Sequence, residues 1–358
     1  MSPALELVAI RLAYVVGVVG ALLWAGGEVP QFGGLFFGAF AQWDAGWFLR
    51  IARHGYDTQQ SAAFFPLYPL VVRALAVVVR SDAAAGFLIS LVSAAGAATI
   101  LQRLARSRDA VVLLALYPVA YVFTALYSDA LFLLLAIGSF YAAVRGRSVA
   151  AGVLGGLAVA TRLLGLALLP ALAVLLWKRR WNGLAPLLLL PAALGAYMLY
   201  LHEHLHDWLA FSHAEGAFWL RETPWLGPFD GLWRAAHSAE QGLAQLVLHL
   251  PSDGRFSRAD QWATWNLVQF MLLVAAFWLT WLAWRRLGAA YGLYSLATLV
   301  IVLSSPAAVV PLVSLPRFLL ADFPLFIVLA PYRRVLAPVF AAVGAVAAVA
   351  FARGIWVA

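Results

Sequence analysis

The sequence contains no cysteine, which excludes disulfides, thiolate metal sites and cysteine nucleophiles. It is also poor in charge. Asp, Glu, Lys and Arg make up 11% of the 358 residues, against 64% hydrophobic residues. With a mean hydropathy of +0.88, those proportions lie outside the soluble globular range and place the chain among polytopic membrane proteins. The amino terminus lacks a basic n-region and a small-residue cleavage site, so residues 4–26 read as a retained first span. No internal repeat is evident, which weakens an inverted-repeat transporter reading. The net charge of +8 comes without a basic stripe interleaved with aromatics, so it does not point to nucleic acid.

What is present is a succession of apolar runs of roughly 15–22 residues, the length that suits a hydrocarbon core of about 30 Å. They fall near 4–26, 83–102, 110–126, 129–144, 148–177, 183–201, 263–284, 289–304, 316–331 and 335–351. Short loops between them carry "RLARSR" (103–108), "RGR" (145–147), "KRR" (178–180), "RR" (285–286) and "RR" (333–334), 12 of the 24 basic residues. The positive-inside rule puts all five in the cytoplasm. That requirement conflicts with a single crossing at 148–177, whose 30 residues would extend about 45 Å as one helix and leave "KRR" outside. Two short helices meeting near Arg162 repair every later loop; the alternative is one long tilted helix with Arg162 snorkelling. The broken pair gives an all-α chain of about 11 crossings in a single domain, 1–358, with the amino terminus inside. Two long segments, 27–82 and 202–262, then face outward. They hold 12 of the 16 acidic residues and most of the histidines, and their aromatic, amphipathic stretches suit interfacial helices.

Chemistry-bearing residues concentrate on that outer side. In "QWDAGWFLRIARHGY" (42–56) a helix over 44–54 places Asp44, Trp47, Phe48, Ile51 and His54 on one face, with Arg50 and Arg53 elsewhere. Asp44 reads either as a cap for that helix or as a base tuned by its aromatic surroundings. "FFPLYP" (64–69) reads as a rigid entry to an interfacial helix. In "YPVAYVFTALYSDALF" (117–132), Ser128 and Asp129 stand at an external mouth between two spans, again as a turn and cap or as site residues. "ATRLLG" (160–165) sets Arg162 inside the membrane, where an arginine is costly and therefore functional or paired with an acid such as Asp129 or Asp322. "SLPRFLLADFPLF" (314–326) supplies Arg317 at the external start of a span, as a phosphate-recognising guanidinium or an interfacial anchor. Asp322 lies deeper, before a proline. "LHEHLHD" (201–207) has His202 and His206 at i,i+4, but the spacing is not His-Glu-x-x-His, so it reads as a solvated helix end and no metal site is expected.

Taken together, "WDAGWFLRIARHGY", "AFFPLYPL", "YPVAYVFTALYSDALF", "TRLLG" and "SLPRFLLADFPLF" resemble, in order and over essentially the whole chain, the PIG-V family of GPI mannosyltransferases and its bacterial relatives. The segment "DWLAFSHAEGAFW" (207–219) is part of that resemblance. It implies a GT-C-type glycosyltransferase in a bacterial plasma membrane, using a polyprenyl-phosphate mannose donor on the extracytoplasmic side. Asp44 matches the family's acid in the first external loop. Ser128-Asp129 stands where the family has Ser-Glu, one methylene shorter, and Arg162-Leu163-Leu164-Gly165 where it has Arg-Ser-Asn-Gly. Asp322 replaces an expected apolar residue.

On that resemblance Asp44 is expected to act as general base in an inverting displacement. Arg317 and Arg162, with His54, are expected to hold the donor phosphate. Asp129 and Ser128 supply a second acid or bind the acceptor, and Trp43, Trp47, Tyr56, Phe65, Tyr127 and Trp219 line the substrates. No cofactor is expected, because the leaving group is a stable lipid phosphate and the donor's phosphodiester carries a single charge. The acceptor is a glycan, glycolipid or protein hydroxyl. A flippase for a lipid-linked intermediate would instead need polar residues along a whole path, and spans such as 335–351 are almost purely apolar. A membrane assembly subunit binding a partner through the outer loops is the third reading.

Overall fold

The computed structural model describes residues 2–24, 37–248 and 257–357. Residues 25–36 and 249–256, at the end of the first expected span and within the two expected external segments, lie outside the described residues. Among the described residues the regular backbone is helical, and the extended pairing is one isolated antiparallel bridge between Arg221 and Ala307.

In chain order, α1 is Pro3–Trp24, α2 Asp44–His54, α3 Leu67–Val79, α4 Asp82–Ala105, α5 Asp109–Leu116 and α6 Asp129–Val144. They are followed by α7 Ser148–Thr161, α8 Leu168–Leu176, α9 Leu189–Leu205, α10 Ala210–Trp219 and α11 Pro228–Leu248. The last are α12 Arg258–Leu287, α13 Ala289–Leu303, α14 Leu315–Ala321, α15 Phe323–Leu329 and α16 Arg333–Ala352. Among the described residues, five stretches are long and apolar enough to cross a membrane: Pro3–Trp24, Asp82–Ala105, Trp181–Leu205, Arg258–Leu287 and Phe323–Ala352. Leu67–Val79, Asp129–Val144, Ser148–Thr161 and Ala289–Leu303 are apolar but shorter. The expected helix over 110–126 is interrupted. After Leu116 the chain turns extended at Tyr117 (ψ 138°) and resumes as a 3-10 turn at Ala120–Phe123. Pro118 explains this, because it disfavours helical backbone in the residue before it and lacks a donor of its own. The run 316–331 is likewise split at Asp322, two residues before Pro324.

The break at Arg162 is present. Helix α7 ends at Thr161, Arg162 is fully extended (φ −160°, ψ 142°), and a 3-10 turn over Leu163–Ala167 leads into α8. The two pieces form a hairpin, not one tilted rod. The Ser148 hydroxyl donates to the Asn182 carbonyl at 3.1 Å, and Gly146 lies against the Arg179 guanidinium, so "RGR" and "KRR" share one end. At the bend, a Cβ on Gly165 would come within 2.5 Å of the Val159 backbone nitrogen. Gly165→Ala is therefore expected to lower stability by about 1–3 kcal/mol through overpacking, measured as the thermal unfolding midpoint in detergent. A wild-type midpoint would show that the hairpin is looser than this contact implies.

The other basic loops gather at the same end. Helices α4 and α6 run side by side in the same direction, since Gly86 faces Leu126, Gly96 faces Leu134 and Gly138 faces Ile100. Small residues on this seam let the backbones approach closely. Both helices thus deliver their carboxyl-terminal arginines, 103–108 and 145–147, to one end. Arg333 reaches Asp109 at 3.2 Å, and Tyr291, after Arg285-Arg286, packs on Phe140 near the end of α6 (ring centroids 4.6 Å apart). All five arginine loops lie at one end of the bundle. Asp44, Asp129, Arg162 and Arg317 lie at the other.

Candidate active site

Helix α2 begins at Asp44 itself. The preceding residue, Trp43, has the left-handed φ of 53° with ψ −113°, and no side chain caps the helix. A bulky residue in such a conformation is held by its surroundings, here by edge-on packing against Trp356 (5.5 Å). The capping role weighed for Asp44 is therefore not the one it has. Its Oδ2 accepts from Arg317 Nη1 at 2.7 Å. The amphipathic α2 buries Ala45, Phe48, Leu49, Ile51 and Ala52. Arg50 and Arg53 point out to Asp57 (2.9 Å) and Asp82 (2.5 Å).

Ser128 and Asp129 also lack the cap hydrogen bond that their position suggests. Asp129 is buried and acts as an anchor for two guanidiniums. Arg317 Nε donates to both its oxygens at 3.0 and 3.1 Å, and Arg162 Nη1 donates to Oδ1. Arg317 sits at the start of α14, behind Ser314 (φ 69°) and Pro316. Its guanidinium lies 4.6 Å from the centroid of the Tyr127 ring, whose hydroxyl donates to the Gln42 carbonyl at 3.2 Å. One arginine thereby joins chain segments 188 and 273 residues away.

Above this network lies a cavity of about 580 Å³. Asp44, Ser128, Arg162 and Arg317 line it, with Trp43, Trp47, Phe65 and Trp219 of the expected aromatics. Other expected residues are elsewhere. His54 is exposed at the opposite end of α2, about 15 Å along the helix from Asp44 at 1.5 Å per residue. Tyr56 packs against Tyr197 and Tyr200 and donates to the Phe64 carbonyl at 2.6 Å. Tyr127 lies beneath Arg317, and Asp129 lies beneath the floor. Asp322 does not meet an arginine: Ser295 Oγ donates to its Oδ1 at 2.6 Å, and its other oxygen has no partner among the described residues. The three histidines of 201–207 diverge. His202 stacks on Trp208, His204 stacks on Tyr200, and His206 is the left-handed cap of α9.

Sequence reasoning missed Glu215, Arg221, Phe318 and Trp356, which also line the cavity. Glu215 and Arg221 bracket the end of α10, where Leu220 turns left-handed (φ 55°) and brings Arg221 back to Glu215 (Nε–Oε2 3.2 Å). An acid and an arginine flanking a helix end were a readable signal; Trp356 had none. Enclosure pushes the Glu215 carboxyl above the ordinary glutamate range, against the opposing pull of Arg221.

The cavity group holds three arginines (162, 221, 317) and three acids (44, 129, 215): Arg162, Asp129, Arg317 and Asp44 form one chain, and Glu215 and Arg221 a separate pair. Arg317 gives Nε to Asp129 and Nη1 to Asp44. Arg162 gives one nitrogen to Asp129, and its other N–H groups donate to no described residue. The arrangement thus offers fixed cationic donors for an anion at Arg162 and a carboxylate for a hydroxyl at Asp44, among aromatic walls.

No curated protein and no solved structure matches the chain. The family model described as Mannosyltransferase (PIG-V) matches residues 21–190. That stretch takes in Asp44, Ser128, Asp129 and Arg162, and the family supports a glycosyltransferase activity in an apolar, helical protein. Over that stretch, just under half of the chain, the protein is similar to the PIG-V mannosyltransferases.

Proposed function

We propose that this protein transfers mannose from a polyprenyl-phosphate mannose donor to an acceptor hydroxyl at the extracytoplasmic face of a bacterial plasma membrane. The observation that carries the reading is the convergence of Asp44, Arg162 and Arg317 on one recessed cavity. Helix α7 has 14 residues, about 21 Å at 1.5 Å per residue, so Arg162 stands well short of a full crossing from the basic end. A guanidinium at that depth suits the phosphate of a lipid whose tail stays in the outer leaflet.

In the reaction, the acceptor oxygen attacks the anomeric carbon and the carbon–oxygen bond to phosphate breaks. Its electron pair leaves with the lipid phosphate, and the acceptor proton passes to Asp44. Attack opposite the leaving group inverts the anomeric centre through an oxocarbenium-like transition state. The Arg317 hydrogen bond holds the Asp44 carboxylate in place, with its other oxygen left for the acceptor hydroxyl. Arg162, steadied by Asp129, stabilises the charge developing on the phosphate. Ser128 on the cavity wall is a further hydroxyl for substrate contact. No cofactor takes part in this scheme.

The test is incubation of the purified protein with labelled polyprenyl-phosphate sugars and a panel of glycan, glycolipid and peptide acceptors, with product linkage read by mass spectrometry and NMR. Mannosyl transfer with inversion is expected; no transfer from any polyprenyl-phosphate sugar overturns the reading. Orientation has its own check, made simple by the lack of native cysteine. In whole cells a membrane-impermeant maleimide is expected to label Gln241→Cys and to spare Asn182→Cys, and the reverse pattern would invert the topology.

A further inference from the structure

The Glu215–Arg221 pair is built differently from the Asp129 anchor. Asp129 spends both oxygens on arginines and is buried. Glu215 meets Arg221 through one oxygen; the other is bonded to no described residue, and the side chain, 38% accessible, opens into the cavity. Arg221 is held on three sides. Besides Glu215, its Nη1 donates to the Ser305 carbonyl at 2.9 Å and its Nη2 to the Val313 carbonyl at 3.1 Å. The backbone around it is pinned as well: Glu222 N donates to the Pro306 carbonyl and Ala308 N to the Leu220 carbonyl. These contacts tie Glu215 to the 305–313 segment that leads directly into Arg317.

Two aromatic contacts set its place relative to the reacting groups. Phe318 lies between guanidiniums, with Arg162 at 5.6 Å and Arg221 at 5.7 Å from its ring, so the anion-binding arginine and the Glu215 clamp are kept apart. Trp219, on the helix of Glu215, packs on Trp47 of the Asp44 helix (6.1 Å) and on Phe64 (5.4 Å). The second Glu215 oxygen is therefore open to a ligand in the cavity. An oxygen left open beside aromatic walls fits a hydrogen-bond donor on a flat, partly apolar ligand. It repels a second anion, so the donor phosphate belongs at Arg162 and not here.

We propose that Glu215 is the acceptor-binding carboxylate of this cavity, with Arg221 as its positioning residue, and that the acceptor is a neutral, polyhydroxylated molecule. This rests on the transfer reaction proposed above. The free oxygen accepts a hydrogen bond from one acceptor hydroxyl while a neighbouring hydroxyl faces Asp44, and the Trp219 and Trp47 rings cover the acceptor's apolar face.

The experiment compares wild type with Glu215→Gln and Glu215→Asp, with polyprenyl-phosphate mannose as donor and octyl α-D-mannopyranoside as probe acceptor. A charge-assisted hydrogen bond to the acceptor corresponds to about a 10–100-fold rise in acceptor KM for Glu215→Gln. Donor KM is expected to change less than twofold. Glu215→Asp keeps the charge and the Arg221 partner, and is expected to fall between the two. Should Glu215→Gln fail to fold, Glu215→Asp carries the same split between acceptor and donor KM. An unchanged acceptor KM, or parallel changes in both KM values, overturns the assignment. Transfer to a peptide hydroxyl but not to the octyl glycoside overturns the acceptor class alone. A wild-type protein that transfers nothing from any donor overturns the reaction itself, and this assignment with it.

Discussion

Asp44→Asn is expected to lower the rate of mannosyl transfer by about 10²–10⁴-fold, the range over which a positioned general base contributes. The substitution keeps the size of the side chain and an oxygen that can still accept from Arg317 Nη1, so the contact at 2.7 Å need not collapse. What is lost is the charge and the ability to take a proton. The variant also separates the two readings of Asp44 that its sequence position allowed. Asparagine is as good a helix cap as aspartate, so a capping residue would be replaced with little effect. Transfer rate, donor KM and thermal midpoint should be measured on the same preparation. The expected outcome is a lost rate with a midpoint near wild type. Near-normal transfer would remove Asp44 from the role of base.

Arg317→Met is expected to cost about 3–5 kcal/mol of stability, because removing one member of a buried ion network strands the partners. Here two carboxylates each lose a donor. Asp129 and Asp44 both take hydrogen bonds from this guanidinium. Asp129 would keep Arg162, but Asp44 would keep no charged partner among its described hydrogen bonds. Arg317→Lys is expected to recover only part of the loss. An ammonium is a point donor and cannot span two carboxylates as the planar fork does. Unfolding in detergent and transfer activity should fall together for Met and less for Lys. A wild-type midpoint for Arg317→Met would mean that the network adds nothing to the fold.

Several features of the architecture were readable because they depend on local chemistry. A run of 30 residues at 148–177 with a single arginine near its middle cannot be one comfortable crossing, and the chain bends at that arginine. The five basic loops were expected together and lie together. Residues 110–126 misled because apolarity alone was counted. Pro118, visible in the sequence, governs the backbone there, and the helix stops at Leu116. For α2 the helical period was right for Asp44, Trp47 and Phe48, which all line the cavity. It failed for His54, because one face of a three-turn helix is longer than the cavity it borders.

By itself the sequence determined the class of molecule, the bend at Arg162, the segregation of basic loops from acidic segments, and four of the cavity's polar residues: Asp44, Ser128, Arg162 and Arg317. Composition, period and residue cost in a membrane are local quantities, and they suffice for the first three; for the four residues they left a structural alternative open, and the family resemblance decided between the two. Only the tertiary structure decided which carboxylate meets which guanidinium. Asp129 became an anchor, Asp44 was drawn to Arg317, Asp322 was left with Ser295, and Glu215 entered the cavity beside Arg221. Ion pairing follows distance in space, and the partners of Arg317 stand 188 and 273 residues away along the chain. No spacing rule reaches that far; the packing of the helices sets it.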